Sequence, residues 1–278
     1  MSLLPLGCGG EVAIERDAKL TRQNILGASV MRANDRDYKI GAFGLVDLFS
    51  FEAEPIGEAG PCRVTEMFAD PDADIEEAEP ADGAFIDVET GTGLYTFDLG
   101  VDHGYLYPFE SEEPLFAAGD AITFRVRGEG VPQLERTVTA IDVPAIVMPP
   151  VDDDGFLRLK RSEGLSITWD PATDAGTIEL KIRASMEETT IGNMTKTGPV
   201  WRTLQCEVDA TAGAIVVESW LFELMPEARF GELSVTGGRG WLEEVDGWTV
   251  RFRVQGYATV VGRENSVAHY STGPMWLE

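Results

Sequence analysis

The chain of 278 residues has 48 acidic and 22 basic side chains and a formal net charge of -26. Such a charge repels phosphate backbones and anionic lipid surfaces, and it argues strongly against nucleic acid as a partner. No apolar run approaches the roughly 18 residues that a membrane-spanning helix needs. The acids are spread through the whole chain, which favours solubility over cation binding as their general role.

The amino-terminal segment contains a cysteine in a suggestive setting. Leu6-Gly7-Cys8, preceded by further apolar residues, resembles a bacterial lipobox, after which the cysteine becomes lipidated. The sequence therefore predicts lipid attachment at Cys8 and a place in the bacterial cell envelope, as a secreted lipoprotein. The alternative is an ordinary flexible terminus with a chance cysteine. Residues 9 to about 29 show no clean period, and residues 1–28 are predicted to form a leader with a flexible tether.

A first β region is predicted over residues 29–143. Alternation is clearest in Ile122-Phe124-Val126, where apolar residues face one side and Thr123 and Arg125 the other. Strand candidates recur about every ten residues, with turn signals such as Asp82-Gly83 between them, which is typical of a β-sandwich.

A second β region is predicted over residues 157–278, after a linker rich in Pro and Asp at 144–156. The one helical pattern runs from Glu218 to Met225, before Pro226. The sequence thus predicts an all-β protein of two immunoglobulin-like or fibronectin III-like sandwiches in tandem, with one short helix in the second.

Several strand patterns resemble an uncharacterised group of secreted or lipid-anchored proteins from myxobacteria and related bacteria. These are Pro61-Cys62-Arg63-Val64 and the segments 117–127, 164–169 and 206–217. The resemblance implies an envelope location and two β domains, and it implies no activity. Gly164 to Trp169 is also similar to the inner strand of fibronectin III-like sandwiches, so we expect Trp169 in the core.

Two further cysteines, Cys62 and Cys206, lie in strand-like alternation without the spacing of a metal site. In an oxidising envelope they could pair and close a loop of about 140 residues, worth on the order of 5 kcal/mol. The alternative, which the sequence slightly favours, is two separate buried thiols, one in each domain.

Calcium is the one cofactor for which the sequence offers candidates. Asp70, Asp72 and Asp74 open like a calcium loop, and Asp152 and Asp154 follow the linker. The first segment departs from the EF-hand pattern, with Ile75 in place of the required Gly. A solvated acidic loop is the favoured alternative for both segments.

Catalytic patterns are weak. The only histidines, His103 and His269, have no nucleophile motif beside them, and 48 acids do not single out a pair for glycoside hydrolysis. Exposed tryptophans next to turns could bind carbohydrate; the candidates are Trp201, Trp241, Trp248 and Trp276. The sequence therefore predicts a non-enzymatic envelope module that binds an envelope protein or a glycan. The alternatives are a carbohydrate-binding module and a carboxylate-based hydrolase, which would need a deep cleft with acids of raised pKa.

Overall fold

The computed structural model describes residues 19–33, 37–52, 55–68, 79–100, 109–150, 157–171, 176–186, 189–191, 194–196, 200–228, 231–261, 269–270 and 275–277. The prediction of an all-β protein with one short helix in the second half is confirmed, since the helix α1 spans Ser219–Phe222 within the segment predicted to be helical.

The strands are, in chain order, β1 (Lys19–Arg32), β2 (Tyr38–Glu52), β3 (Pro55–Ala59), β4 (Cys62–Phe68), β5 (Glu79–Pro80), β6 (Ala84–Thr90), β7 (Gly93–Asp98), β8 (Phe109–Ser111), β9 (Ala121–Gly128), β10 (Leu134–Thr139), β11 (Ile146–Val147), β12 (Leu157–Leu159), β13 (Leu165–Trp169), β14 (Thr177–Met186), β15 (Thr189–Ile191), β16 (Met194–Lys196), β17 (Val200–Asp209), β18 (Ala214–Val217), β19 (Gly231–Val245), β20 (Trp248–Tyr257), β21 (His269–Tyr270) and β22 (Met275–Leu277).

One sheet of eleven strands, called here the long sheet, dominates the described part of the chain. Its order is β3-β4-β17-β14-β19-β20-β1-β2-β5, with β8 beside β2 and β21 beside β19. The β1–β20 pair is parallel, and the other pairs of this sheet are antiparallel. Two smaller sheets have the orders β10-β9-β6-β7 and β11-β13-β18, and β12–β22 and β15–β16 form short separate pairs.

Each smaller sheet covers one part of the long sheet and encloses its own apolar core. Under the four-stranded sheet, Phe124 of β9 stacks on Phe252 of β20 with ring centroids 4.7 Å apart. Under the three-stranded sheet, Trp169 of β13 is buried, as predicted, and its indole Nε1 donates to the Ala210 carbonyl at 2.7 Å. Burial of one such large apolar side chain contributes about 1.5–3 kcal/mol.

The distribution of strands between the two cores differs from the sequence prediction. The hairpin β3–β4 comes early in the chain but pairs with β17 and lines the second core. The strand β20 comes late but pairs with β1 and lines the first core. The sandwiches are therefore joined by hydrogen bonds that cross the predicted linker at 144–156; the boundaries 29–143 and 157–278 stay a prediction.

The leader predicted over residues 1–28 is partly a strand. Residues 19–28 belong to β1, which pairs with β2 along its whole length. A shift of register between Gln23 and Ile25 interrupts the two-residue period at this point, and Gly27 adds no side chain to the pattern. Because alternation is the signal by which strands are found in a sequence, this bulge hid the start of β1.

Candidate functional site

Among the described residues, the long sheet buries mainly the side chains of one face; Met31 of β1 is an exception, since it is buried on the other side. In β20, Trp248, Val250, Phe252 and Val254 are buried, whereas the residues between them are partly or fully exposed. The register carries this alternation across the sheet, because directly paired residues point to the same side. Both smaller sheets therefore lie on the same side of the long sheet.

The other side is called here the open face. It carries the odd-numbered residues of β4, β17, β14, β20, the Lys39–Leu45 part of β2 and the Ile25–Met31 part of β1, and the even-numbered residues of β19. No described element packs over the open face as the two smaller sheets pack over the other. A sheet face that no described element covers is a candidate surface for a partner.

Four strands contribute one row of neighbouring residues across the open face. Leu242 of β19 pairs with Arg251 of β20, Arg251 with Gly27 of β1, and Gly27 with Phe43 of β2. A Cβ atom placed on Gly27 would lie 3.0 Å from Cζ of Phe43, so the phenyl ring lies close over this glycine. The row thus places one guanidinium between two apolar side chains, one of which, Leu242, is 64% exposed.

The surroundings of Arg251 disfavour the charged form of its guanidinium. Partial burial lowers the pKa of its guanidinium from the usual value, and the neighbouring cation Arg253 lowers it further. The carboxylates of Glu179 and Glu207 act in the opposite direction but do not reverse the shift. Within the described part of the chain, Arg251 makes no hydrogen bond or ion pair.

The residues next to this row are paired and polar. Arg253 lies 3.6 Å from a carboxylate oxygen of Glu179, and the other oxygen of Glu179 accepts a hydrogen bond from the Gln205 amide at 2.8 Å. Beside them, Gly238 and Gly240 floor a shallow depression of about 20 Å³. That volume holds about one water molecule, so the open face is close to flat here.

The far end of the open face carries an aromatic contact. The guanidinium of Arg183 lies 4.4 Å from the ring centroid of Trp201, and Trp201 pairs across strands with the exposed Met67. Lys181, on the same strand as Arg183, also makes no hydrogen bond or ion pair within the described residues.

The outer face of the four-stranded sheet, called here the paired face, has a different character. Asp87 accepts two hydrogen bonds from Arg127, at 2.8 and 3.2 Å, and a third from the Thr96 hydroxyl at 2.6 Å. The bond from Arg127 is the main reason that the pKa of Asp87 lies below its usual value. Arg125 bridges Glu89 and Glu135 on the two neighbouring strands.

Cys62 and Cys206 lie directly opposite each other on β4 and β17, with their Cα atoms 4.0 Å apart, and a disulfide joins them. The structure therefore differs from the slightly favoured alternative of two separate thiols. The sequence placed one cysteine in each half; it could not show that β4 leaves the first half to pair with β17.

Other predicted site residues lie outside the described part of the chain. Cys8 falls in the segment 1–18, the acids Asp70, Asp72 and Asp74 in 69–78, and Asp152 and Asp154 in 151–156. Lipid attachment and calcium binding at these residues stay predictions. Among the residues that the structure does describe, no group of three or more His, Cys, Asp or Glu is placed to hold a metal ion.

The tryptophans proposed for carbohydrate binding occupy different environments. Trp248 is buried and donates to the Gly130 carbonyl at 3.2 Å, and Trp241 is half-buried and stacks on Phe252. Both line the first core and do not face solvent as a platform. Trp201 lies on the open face, and Trp276 lies in β22, with its side chain outside the described set.

Sequence reasoning missed Arg251. The alternation of Val250, Phe252 and Val254 with Arg251, Arg253 and Gln255 indicates a half-buried strand. Whether the polar side of this strand lies under another element depends on which strands pair, and the sequence does not show this.

Within the described residues, no helix has the length and apolar character required to cross a lipid bilayer. No family model matches the chain, and no curated protein matches it. The resemblance to a group of myxobacterial proteins therefore finds no support.

Weak likenesses to several solved structures are found. The chain is 10% identical to the FN1-FN3 domains of chicken CNTN1, covering 78% of this chain and 62% of that one, with a TM-score of 0.22. It is 14% identical to the BSP domain of a biofilm associated protein, covering 87% and 30%, with a TM-score of 0.20. A Ca²⁺-stabilized adhesin of an Antarctic bacterium, described as binding ice, is 12% identical over 87% and 66%, with a TM-score of 0.14. The chain spans less than two thirds of the length of the first two of these structures.

Proposed function

We propose that this protein is a non-enzymatic binding or structural module of the bacterial cell envelope and that it engages its partner through the open face. The observation that carries the proposal is the one-sided burial of the long sheet. Side chains of every major strand are buried towards the two smaller sheets, and the opposite face, with an unpaired arginine and an exposed leucine, has no described cover.

The envelope location is supported by the disulfide. Disulfides such as Cys62–Cys206 form and persist in oxidising compartments and are rare in the cytosol of mesophiles. Attachment by a lipid at Cys8 is part of this proposal. When the full chain is expressed with its own amino-terminal segment, Cys8→Ser should move it from the membrane fraction to the soluble fraction; an unchanged distribution would remove the anchor from the proposal.

Two described carboxyl groups, Asp87 and Asp209, take part in structural hydrogen bonds. A carboxylate-based hydrolase needs an acid whose pKa is raised. The two described carboxyls with shifted values, Asp87 and Asp209, both have lowered pKa, because Asp87 accepts from Arg127 and Asp209 from Thr211. These two groups therefore favour the binding module.

Two leucines give a matched pair of variants to test the proposal. Leu242 on the open face is 64% exposed, and Leu94 on the paired face is 60% exposed. Leu242→Glu and Leu94→Glu make the same charge change at equally accessible strand positions, so both should leave the melting temperature nearly unchanged.

The measurement is sedimentation of each labelled variant with isolated bacterial envelopes. If the open face binds, Leu242→Glu should weaken the association about tenfold, because it places a carboxylate in a desolvated contact. Leu94→Glu should bind as the unmodified protein does. Equal binding of the two variants, or no binding of the unmodified protein, would overturn the proposed function.

A further inference from the structure

Arg251 has the properties of a site for a carboxylate. An arginine guanidinium presents a planar fork of donors that matches the two oxygens of a carboxylate. On the paired face such forks are already occupied, as Arg127 is by Asp87. Arg251 is exposed on the open face, stands next to a second cation, and makes no hydrogen bond or ion pair with a described residue, although the carboxylates of Glu179 and Glu207 act on it through space. An added carboxylate would relieve this arrangement.

The neighbours of Arg251 indicate what else the ligand must offer. Leu242 on one side and Phe43 on the other give apolar contact, and the absence of a side chain on Gly27 lets the Phe43 ring lie over this position, towards Arg251. A ligand that fits this row carries its carboxylate beside an apolar surface. The C–H faces of a sugar ring supply such a surface next to a uronic acid carboxylate.

The wider surroundings are rich in neutral hydrogen-bonding groups. Ser29 of β1 pairs with Arg253, and Gln255 and Thr236 lie along the same face on β20 and β19. Hydroxyl and amide groups of this kind suit the many hydroxyls of a carbohydrate.

An extended peptide fits this surface less well. Peptides that bind sheets usually pair with an edge strand, where backbone N–H and C=O groups are free. In the interior of a sheet these groups are used within the sheet, as in the β19–β20–β1 pairing around Arg251. A peptide laid across the open face would have to leave its own backbone groups to water.

The net charge of the whole chain restricts the ligand further. With a formal net charge of -26, the protein repels a dense polyanion that comes within the Debye length, which is about 8 Å at 0.15 M salt. A carboxylate that reaches Arg251 is therefore best carried by a ligand whose acids are separated by neutral units.

We infer that the row Leu242–Arg251–Gly27–Phe43 on the open face binds an acidic oligosaccharide in which uronic acid units are spaced by neutral sugars. This inference rests on the proposed function and specifies its ligand. The guanidinium of Arg251 donates hydrogen bonds to the carboxylate, and Leu242 and Phe43 contact the sugar rings on either side.

The probes are a tetrasaccharide of one glucuronic acid on three xylose units and the methyl ester of the same tetrasaccharide. The two differ only at the carboxyl group, where the ester is neutral and has one additional methyl group. Calorimetry at 0.15 M salt should show the acid binding about tenfold more tightly than the ester, since the ester cannot form the charge-assisted pair.

Two variants separate contact at Arg251 from the general charge of the face. Arg251→Gln and Lys181→Gln each remove one positive charge from the open face, and neither parent side chain has a hydrogen bond or ion pair to another described residue. Arg251→Gln should lose the preference for the acid over the ester, and Lys181→Gln should keep it. Circular dichroism spectra and thermal unfolding curves check that both variants are folded.

Equal affinity for acid and ester, binding of neither, or an equal effect of the two variants would overturn the inference. The proposed function is tested by a different measurement, the binding of the Leu242→Glu and Leu94→Glu variants to isolated envelopes. If Leu242→Glu alone weakens envelope binding while acid and ester do not differ, the open face binds a ligand of another class.

Discussion

The paired face and the open face both lie on the outer sides of sheets in one acidic chain, yet their central arginines have different partners. On the paired face Arg125 and Arg127 form ion pairs with carboxylates on neighbouring strands. On the open face Arg253 is paired with Glu179, whereas Arg251 has no ion pair with a described residue, and desolvation, followed by the neighbouring Arg253, lowers its pKa. The chain has more than twice as many acids as bases, so a lack of carboxylates does not explain the difference.

The comparison separates two kinds of polar surface. Cross-strand ion pairs such as Arg127–Asp87 fix the register of a sheet and satisfy their own charges. An unpaired guanidinium on a flat, glycine-floored surface contributes little to folding and keeps its donors for another molecule. The contrast predicts that stability and binding depend on different faces.

The largest expected effect concerns the disulfide, which joins the edge hairpin β3–β4 to β17 within the long sheet. The four-stranded sheet that carries the paired face contains no disulfide. The double variant Cys62→Ala, Cys206→Ala should lose about 2–5 kcal/mol of unfolding free energy, because the crosslink closes a long loop. Urea unfolding measures this loss. Reductant should destabilise the unmodified protein by a similar amount and leave the variant unchanged; a reductant-sensitive variant would contradict the assignment.

A smaller effect is expected on the paired face. Asp87→Asn should cost about 1 kcal/mol, because Arg127 and Thr96 lose a charged acceptor. In a double-mutant cycle with Arg127→Gln, the two losses should not add. Additive losses would show that the pair is not coupled.

The same variant gives a pH test. The pKa of Asp87 is lowered in the folded protein, so its stabilisation is present above the unfolded pKa of about 3.9 and is lost as pH falls through the folded value. The stability difference between the unmodified protein and Asp87→Asn should be constant from about pH 8 to 5 and shrink below about pH 4. A difference that grew with acid would have the wrong sign.

The smallest effect is expected on the open face. Arg251→Gln should change the unfolding free energy by less than about 0.5 kcal/mol, because the side chain makes no hydrogen bond or ion pair with a described residue. The substitution also removes the charge repulsion between Arg251 and Arg253. Urea unfolding beside Asp87→Asn provides the comparison. A loss as large as that of Asp87→Asn would remove the distinction between the two faces.

The sequence predicts well those elements whose burial follows a regular period. The alternation of Ile122, Phe124 and Val126 is the burial pattern of β9, and Trp169 lies in the core. The helix was located, although it is a single turn in which Leu221 and Phe222 are buried and Trp220 is exposed. A single turn is too short for the helical period to select its inner face.

Pairing between distant strands could not be predicted in the same way. The alternation of β4 is equally compatible with either core, and only its register with β17 brings Cys62 opposite Cys206. The candidate site has the same dependence, because Leu242, Arg251, Gly27 and Phe43 become neighbours through three separate pairings. Periodicity shows which side chains share a face of one strand, and it contains no information about the next strand.

The parallel pairing of β1 with β20 cannot form until most of the chain has been synthesised. About 220 residues separate the two strands, and a ribosome adding roughly 5–20 residues per second needs about 10–45 s to make them. Throughout that interval β1 can pair with β2, while its other edge has no native partner. A nascent chain of this kind must be kept from pairing that edge with another molecule until residue 257 has emerged.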